Sequence, residues 1–118
     1  MNGSPAPQPL APGPIPLIEV VLRQDYRAPD VERLRAQLDE AVRLRPGQLV
    51  VDVTRCRTMD ASAIDVLLDA HRRLRRLGGT LTLRSPSGRL LRNLTLTRAD
   101  LVLDLGHAVV PAAREPTA

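Results

Sequence analysis

The sequence predicts a small α/β domain built on a mixed, mostly parallel sheet of about four strands with three to four helices. Three observations carry that prediction. Short β-branched runs alternate along the chain with longer segments of helical period. The breaks between them fall at Pro-Gly and Gly-Gly pairs. One short run, "QLVVDV" at residues 48–53, is apolar on both faces, which suits a central strand covered by helices.

Taken in order, residues 1–16, "MNGSPAPQPLAPGPIP", hold six of the 11 prolines. Proline cannot donate a ladder hydrogen bond and restricts its predecessor, so this segment reads as an extended tail. Residues 17–22, "LIEVVL", read as a strand. Residues 30–45 read as a helix, with Val31, Leu34, Leu38, Ala41 and Val42 on one stripe. Glu32 with Arg35, and Asp39 with Arg43, stand at helical spacing with the acid first, the favourable order. Pro46-Gly47 stops that helix, and the strand at 48–53 follows.

A second helix is expected from about Ser62 to Leu77, ended by Gly78-Gly79. Ala63, Leu67, Ala70, Leu74 and Leu77 form its apolar stripe, with Asp65, Asp69, Arg72 and Arg76 opposite. Acids early and arginines late complement the helix dipole. Ser62 with Asp65 fits S-x-x-[DE], a capping box, whose removal typically costs about 1 kcal/mol. Residues 80–84, "TLTLR", alternate as a strand. "SPSG" is a turn, residues 88–97 make a short helix through Leu90, Leu91 and Leu94, and residues 101–105, "LVLDL", are a fourth strand. The end, residues 111–118, is a second loose tail. A single domain at residues 17–110 fits the length.

Composition narrows the function. All 17 basic residues are arginine, against 13 acids, for a net charge of +4 and a pI near 10.9. That balance permits nucleic-acid contact. Tyr26 is the only aromatic residue, so there is no platform for stacking bases, and no direct nucleic-acid binding is expected. Cys56 is alone and forms no internal disulfide. Arg55 and Arg57 beside it would lower its pKa if the thiol were exposed; as a small buried residue it would be inert. His71 and His107 match no metal spacing, and no phosphate loop exists. No run approaches the roughly 20 apolar residues of a membrane span, and no signal peptide is read, so the expected compartment is the cytoplasm. No nucleophile–base pair, metal set or cofactor motif can be assembled, so an enzyme is not expected.

The stretch "LVVDVTRCRTMDASAIDVLLDAHRRLRRLGGTLTL" resembles the STAS family, the anti-sigma factor antagonists and their relatives. Members carry a strand ending in Asp, a short loop, Asp-Ser-Ser-Gly opening a helix, then a Gly-rich turn and a strand. Asp52, Met59, Asp60, Ser62, Leu67, Gly78 and Gly79 fall in register. Ala61 stands where Ser is common, and Ala63 where Gly is usual. Asp25, in "RQDYR", takes the place of the G-x-x-D acid near the first strand. The resemblance covers residues 17–105, and its specific part is the central third.

The resemblance implies a STAS-like domain that works by binding a protein. Ser62 would be the phosphoacceptor. The partner would be an anti-sigma factor that is also a serine kinase and supplies ATP and Mg²⁺. Unphosphorylated, the domain would hold that partner and free a sigma factor. The expected partner surface is Thr58, Met59, Asp60, Ser62, Ala63 and Asp65, with Met59 and Ala63 giving apolar contact. A second expectation keeps the fold without phosphorylation, as an accessory subunit docking on an ATPase or transporter component.

Overall fold

The computed structural model describes residues 15–105. Both expected tails, and residues 106–110 of the expected domain, lie wholly or largely outside them. The order is β1 (Leu17–Val21), α1 (Val31–Arg43), β2 (Gln48–Asp52), α2 (Ala61–Arg76), β3 (Thr80–Arg84) and α3 (Gly88–Leu96). Short 3-10 turns precede α1 at Ala28–Asp30 and follow α3 at Ala99–Leu101.

The sheet runs β1-β2-β3, every pair parallel, with Ile18 opposite Leu49 and Leu49 opposite Leu81. Stepping in one direction through right-handed crossovers puts α1 and α2 on the same face. The two helices accordingly pack on each other. Alternation along the strands does the rest. Leu49, Val51, Leu81 and Leu83 point under the helices and are fully buried. The other face carries Glu19, Asp52 and Arg84, joined by ion pairs from Arg84 to both acids.

Helix α2 is the centre of the core. Its expected stripe is buried at Ala63, Leu67, Ala70 and Leu74. Ile64, Val66, Leu68 and His71 are buried too, because the sheet, α1 and the turn at Ala28–Asp30 close on it from several sides. Its end is a Schellman motif: Gly79 N–H donates to the Leu74 carbonyl at 2.9 Å and Gly78 N–H to that of Arg75 at 3.0 Å. Gly78 has φ 91, which favours glycine. Gly79 is required by space, since a Cβ there would stand 2.5 Å from the Pro46 carbonyl oxygen.

Two expectations need correction. The fourth strand is reduced to one parallel bridge, Thr82 with Asp104. Arg98 turns into the left-handed region (φ 63) and the next three residues coil into a 3-10 turn, so little extended chain remains. The Asp39–Arg43 pair is also absent. Asp39 instead pairs with Arg73 of α2, while Glu32 and Arg35 do meet, at 3.7 Å. Packing between helices overrides the weak preference for a partner one turn away.

Candidate functional site

The segment between β2 and α2 leaves the carboxyl end of the central strand, where sites gather in sheets of this kind. Asp52 closes β2 by accepting from the Thr54 amide at 2.9 Å and from its hydroxyl at 2.6 Å. The chain then runs past Cys56 to Asp60, held by groups distant in sequence. Asp25 accepts from the Arg57 amide at 2.8 Å. Tyr26 N–H donates to the Thr58 carbonyl and its own carbonyl accepts from Asp60 N–H, making a parallel bridge with Met59. Asn93 of α3 accepts from the Met59 amide at 3.2 Å. Ser87, the N-cap of α3, donates to the Arg57 carbonyl at 3.3 Å.

Helix α2 starts one residue earlier than expected. Asp60 is the N-cap residue, with extended backbone, and its carbonyl accepts from Ala63 and Ile64. Its carboxylate reaches away from the helix and accepts from Ala28 N–H at 3.0 Å, tying the two loops together. Ser62 is therefore the second helical residue and not a cap, and the Ser62–Asp65 capping box does not form. The Ser62 side chain is exposed and has no hydrogen-bond partner among the described residues. The amides of Ala61 and Ser62 likewise have no acceptor among them.

Of the expected surface, Asp60, Ser62 and Asp65 are exposed, and Thr58 is partly exposed. Met59 and Ala63 are not surface residues. At 4% and 0% exposure their side chains belong to the core, so neither offers the apolar contact expected of it. The bridge to Tyr26 pulls Met59 inward, and Ala63 lies on the sheet-facing stripe of α2. Tyr26 and Asn93, which fix the loop, have no local sequence signal, because both act across more than thirty residues of chain. Asp25 was legible only through the family pattern.

Electrostatics argue against a reactive thiol at this place. Burial, then the Asp25 carboxylate, push the Cys56 thiol up to about 11, overriding any effect of Arg55 and Arg57. Burial also raises the Tyr26 hydroxyl. Among the described residues no group of three or more His, Cys, Asp or Glu could hold a metal ion. Among them, too, no helix is long and apolar enough to cross a membrane.

Comparison with known proteins places the fold. A family model described as "Mlab, STAS domain" matches residues 18–106. A candidate anti-sigma factor antagonist from Thermotoga maritima superposes with a TM-score of 0.66 at 13% identity, covering 75% of this chain and 76% of that one. The unphosphorylated form of the anti-sigma factor antagonist SpoIIAA gives 0.55 at 22% identity, covering 68% of this chain and 73% of its own. An NMR structure of that same Thermotoga protein, TM1081, gives 0.62 at 16% identity, covering 74% of this chain and 70% of that one. No curated protein matches by sequence.

Proposed function

The chain belongs to the STAS domain family, and from that premise we propose that it is an anti-sigma factor antagonist switched by phosphorylation of Ser62. In this reading it binds a kinase-type anti-sigma factor in the cytoplasm, and a sigma factor is released for transcription. The partner contributes the kinase chemistry, with its ATP and Mg²⁺. The domain contributes the acceptor hydroxyl and a fixed surface around it: Thr58, Asp60, Ser62 and Asp65, with Met59 and Ala63 beneath as support.

The observation that carries the reading is the exposed, unengaged Ser62 hydroxyl at the second position of α2. The loop before it is anchored from the β1–α1 connection and from α3, so docking orders little additional chain. A phosphate adds about −1.5 to −2 charges. The free first-turn amides and the positive end of α2 can host it. Asp60 and Asp65 oppose it from the same surface. The fold therefore tolerates the group, and an interface fitted to a neutral serine loses complementarity.

The test is affinity purification of tagged wild-type and Ser62→Ala protein, with mass spectrometry for partners and for phosphate. Capture of an anti-sigma factor, with phosphate on Ser62 of the wild type alone, is the expected result. A second reading is favoured by Ala61 and Ala63, which replace Ser and Gly of the family pattern. In it the same surface docks on an ATPase or transporter component without phosphorylation. Capture of such a component, with Ser62 unmodified after incubation with candidate kinases, selects it.

A further inference from the structure

The arginine run at the end of α2 takes no part in the surface around Ser62. Helix rise puts Arg76 about 21 Å along the axis from Ser62. There the C-terminal ends of α1 and α2 border a cavity of about 470 Å³. Its floor is Val42 and Leu77, and its walls carry Arg43, Arg45, Arg73 and Arg76 with a single acid, Asp39. Arg73 is neutralised by Asp39 and by Asp69, at 3.1 Å. Arg43, Arg45 and Arg76 have no carboxylate partner among the described residues.

Arg45 adds a second observation. It stands in the left-handed region (φ 55) just beyond the C-cap of α1, where glycine is unstrained. Its left-handed backbone turns the chain at the end of α1, where Arg45 lines the cleft.

We propose that this cleft binds an acidic peptide segment of a partner protein, at a site separate from Ser62. Guanidinium forks match carboxylates bidentately, and three free ones spaced around an apolar floor suit a segment with several Glu or Asp and an apolar side chain. A compact phosphate fits less well. The carbonyls of Arg43 and Arg76 accept no hydrogen bond among the described residues, and a peptide backbone brings N–H groups to meet carbonyls where a phosphate brings only oxygens. The domain would then engage two partners at once, one at each end of α2.

The test uses the full chain and a short fluorescein-labelled Glu/Leu peptide, followed by anisotropy and by amide NMR shifts. Saturable binding is expected, with shifts at Arg43, Arg45, Arg76 and Leu77. Arg45→Gly with Arg76→Ala should weaken it roughly tenfold or more, as loss of charge-assisted hydrogen bonds does. The thermal midpoint should not fall, since glycine relieves the left-handed backbone. Removing the same charge elsewhere, by Arg89→Ala with Arg92→Ala, should leave binding unchanged. Inorganic phosphate and duplex DNA serve as rival probes. No saturable binding, equal weakening by both double variants, or tighter binding of phosphate or DNA at the same resonances would overturn the proposal. None of these results depends on phosphorylation of Ser62.

Discussion

Ser62 touches nothing that the fold requires, so its replacement should separate binding from stability. Ser62→Asp is expected to abolish capture of the anti-sigma factor while shifting unfolding free energy by no more than about 0.5 kcal/mol, the ordinary range for a surface change. Pull-down and urea unfolding of the same variant check both halves. Gly79 is the opposite case. Its missing Cβ is demanded by the Pro46 carbonyl, a backbone atom that cannot swing aside. Gly79→Ala should cost about 1–3 kcal/mol, as overpacking does, read from the urea midpoint. His71 gives the pH dependence. Burial, then Arg75 and Arg72, lower its pKa below 6.5, with Asp104 acting the other way. The folded chain thus prefers the neutral ring and the unfolded chain binds the proton more readily. Stability from this residue is complete above pH 6.5 and is lost as pH falls through the folded value. Melting curves between pH 8 and pH 5 should show that loss, and His71→Gln should flatten it.

The loop from β2 to α2 behaves as an element in its own right, with a fixed shape given by its anchors at Asp25, Tyr26, Ser87 and Asn93. Asn93 is the anchor that can be cut without touching the core of the site. Asn93→Ala orphans the part-buried Met59 amide and should cost about 1–3 kcal/mol. Partner affinity should fall with it although Asn93 is not in the expected interface. Isothermal titration of the variant against the partner, beside its unfolding curve, measures both. The elements themselves were readable where one period ruled a segment. Residues 80–84 and the stripe of α2 are examples. "LVLDL" has the pattern of a strand and fails because Arg98 reverses the chain before it. Met59 was expected at the surface from the family resemblance and is buried by a bridge to Tyr26, a contact with no local signature. The exposure of Ser62 was legible from the helical period, whereas the cap role fell to Asp60 because its backbone carbonyl, not a side chain, opens α2.

At the scale of the molecule, an in-order parallel sheet with α1 and α2 packed together makes α2 a wall common to α1, β3 and the turn at Ala28–Asp30. Leu67, fully buried at its middle, touches that common core. Leu67→Ala should cost about 2–5 kcal/mol and unfold the domain as one unit, with fluorescence of a dye at the loop and far-UV circular dichroism changing together. Asynchronous transitions would mean that the loop has its own stability.

Cys56 gives that question a probe needing no engineering. The single thiol of the chain is wholly enclosed beneath the very loop that presents Ser62. An alkylating reagent can reach it only when that lid of backbone lifts. The rate of its modification in native buffer therefore clocks the opening of the docking surface, and a bound partner should slow the clock.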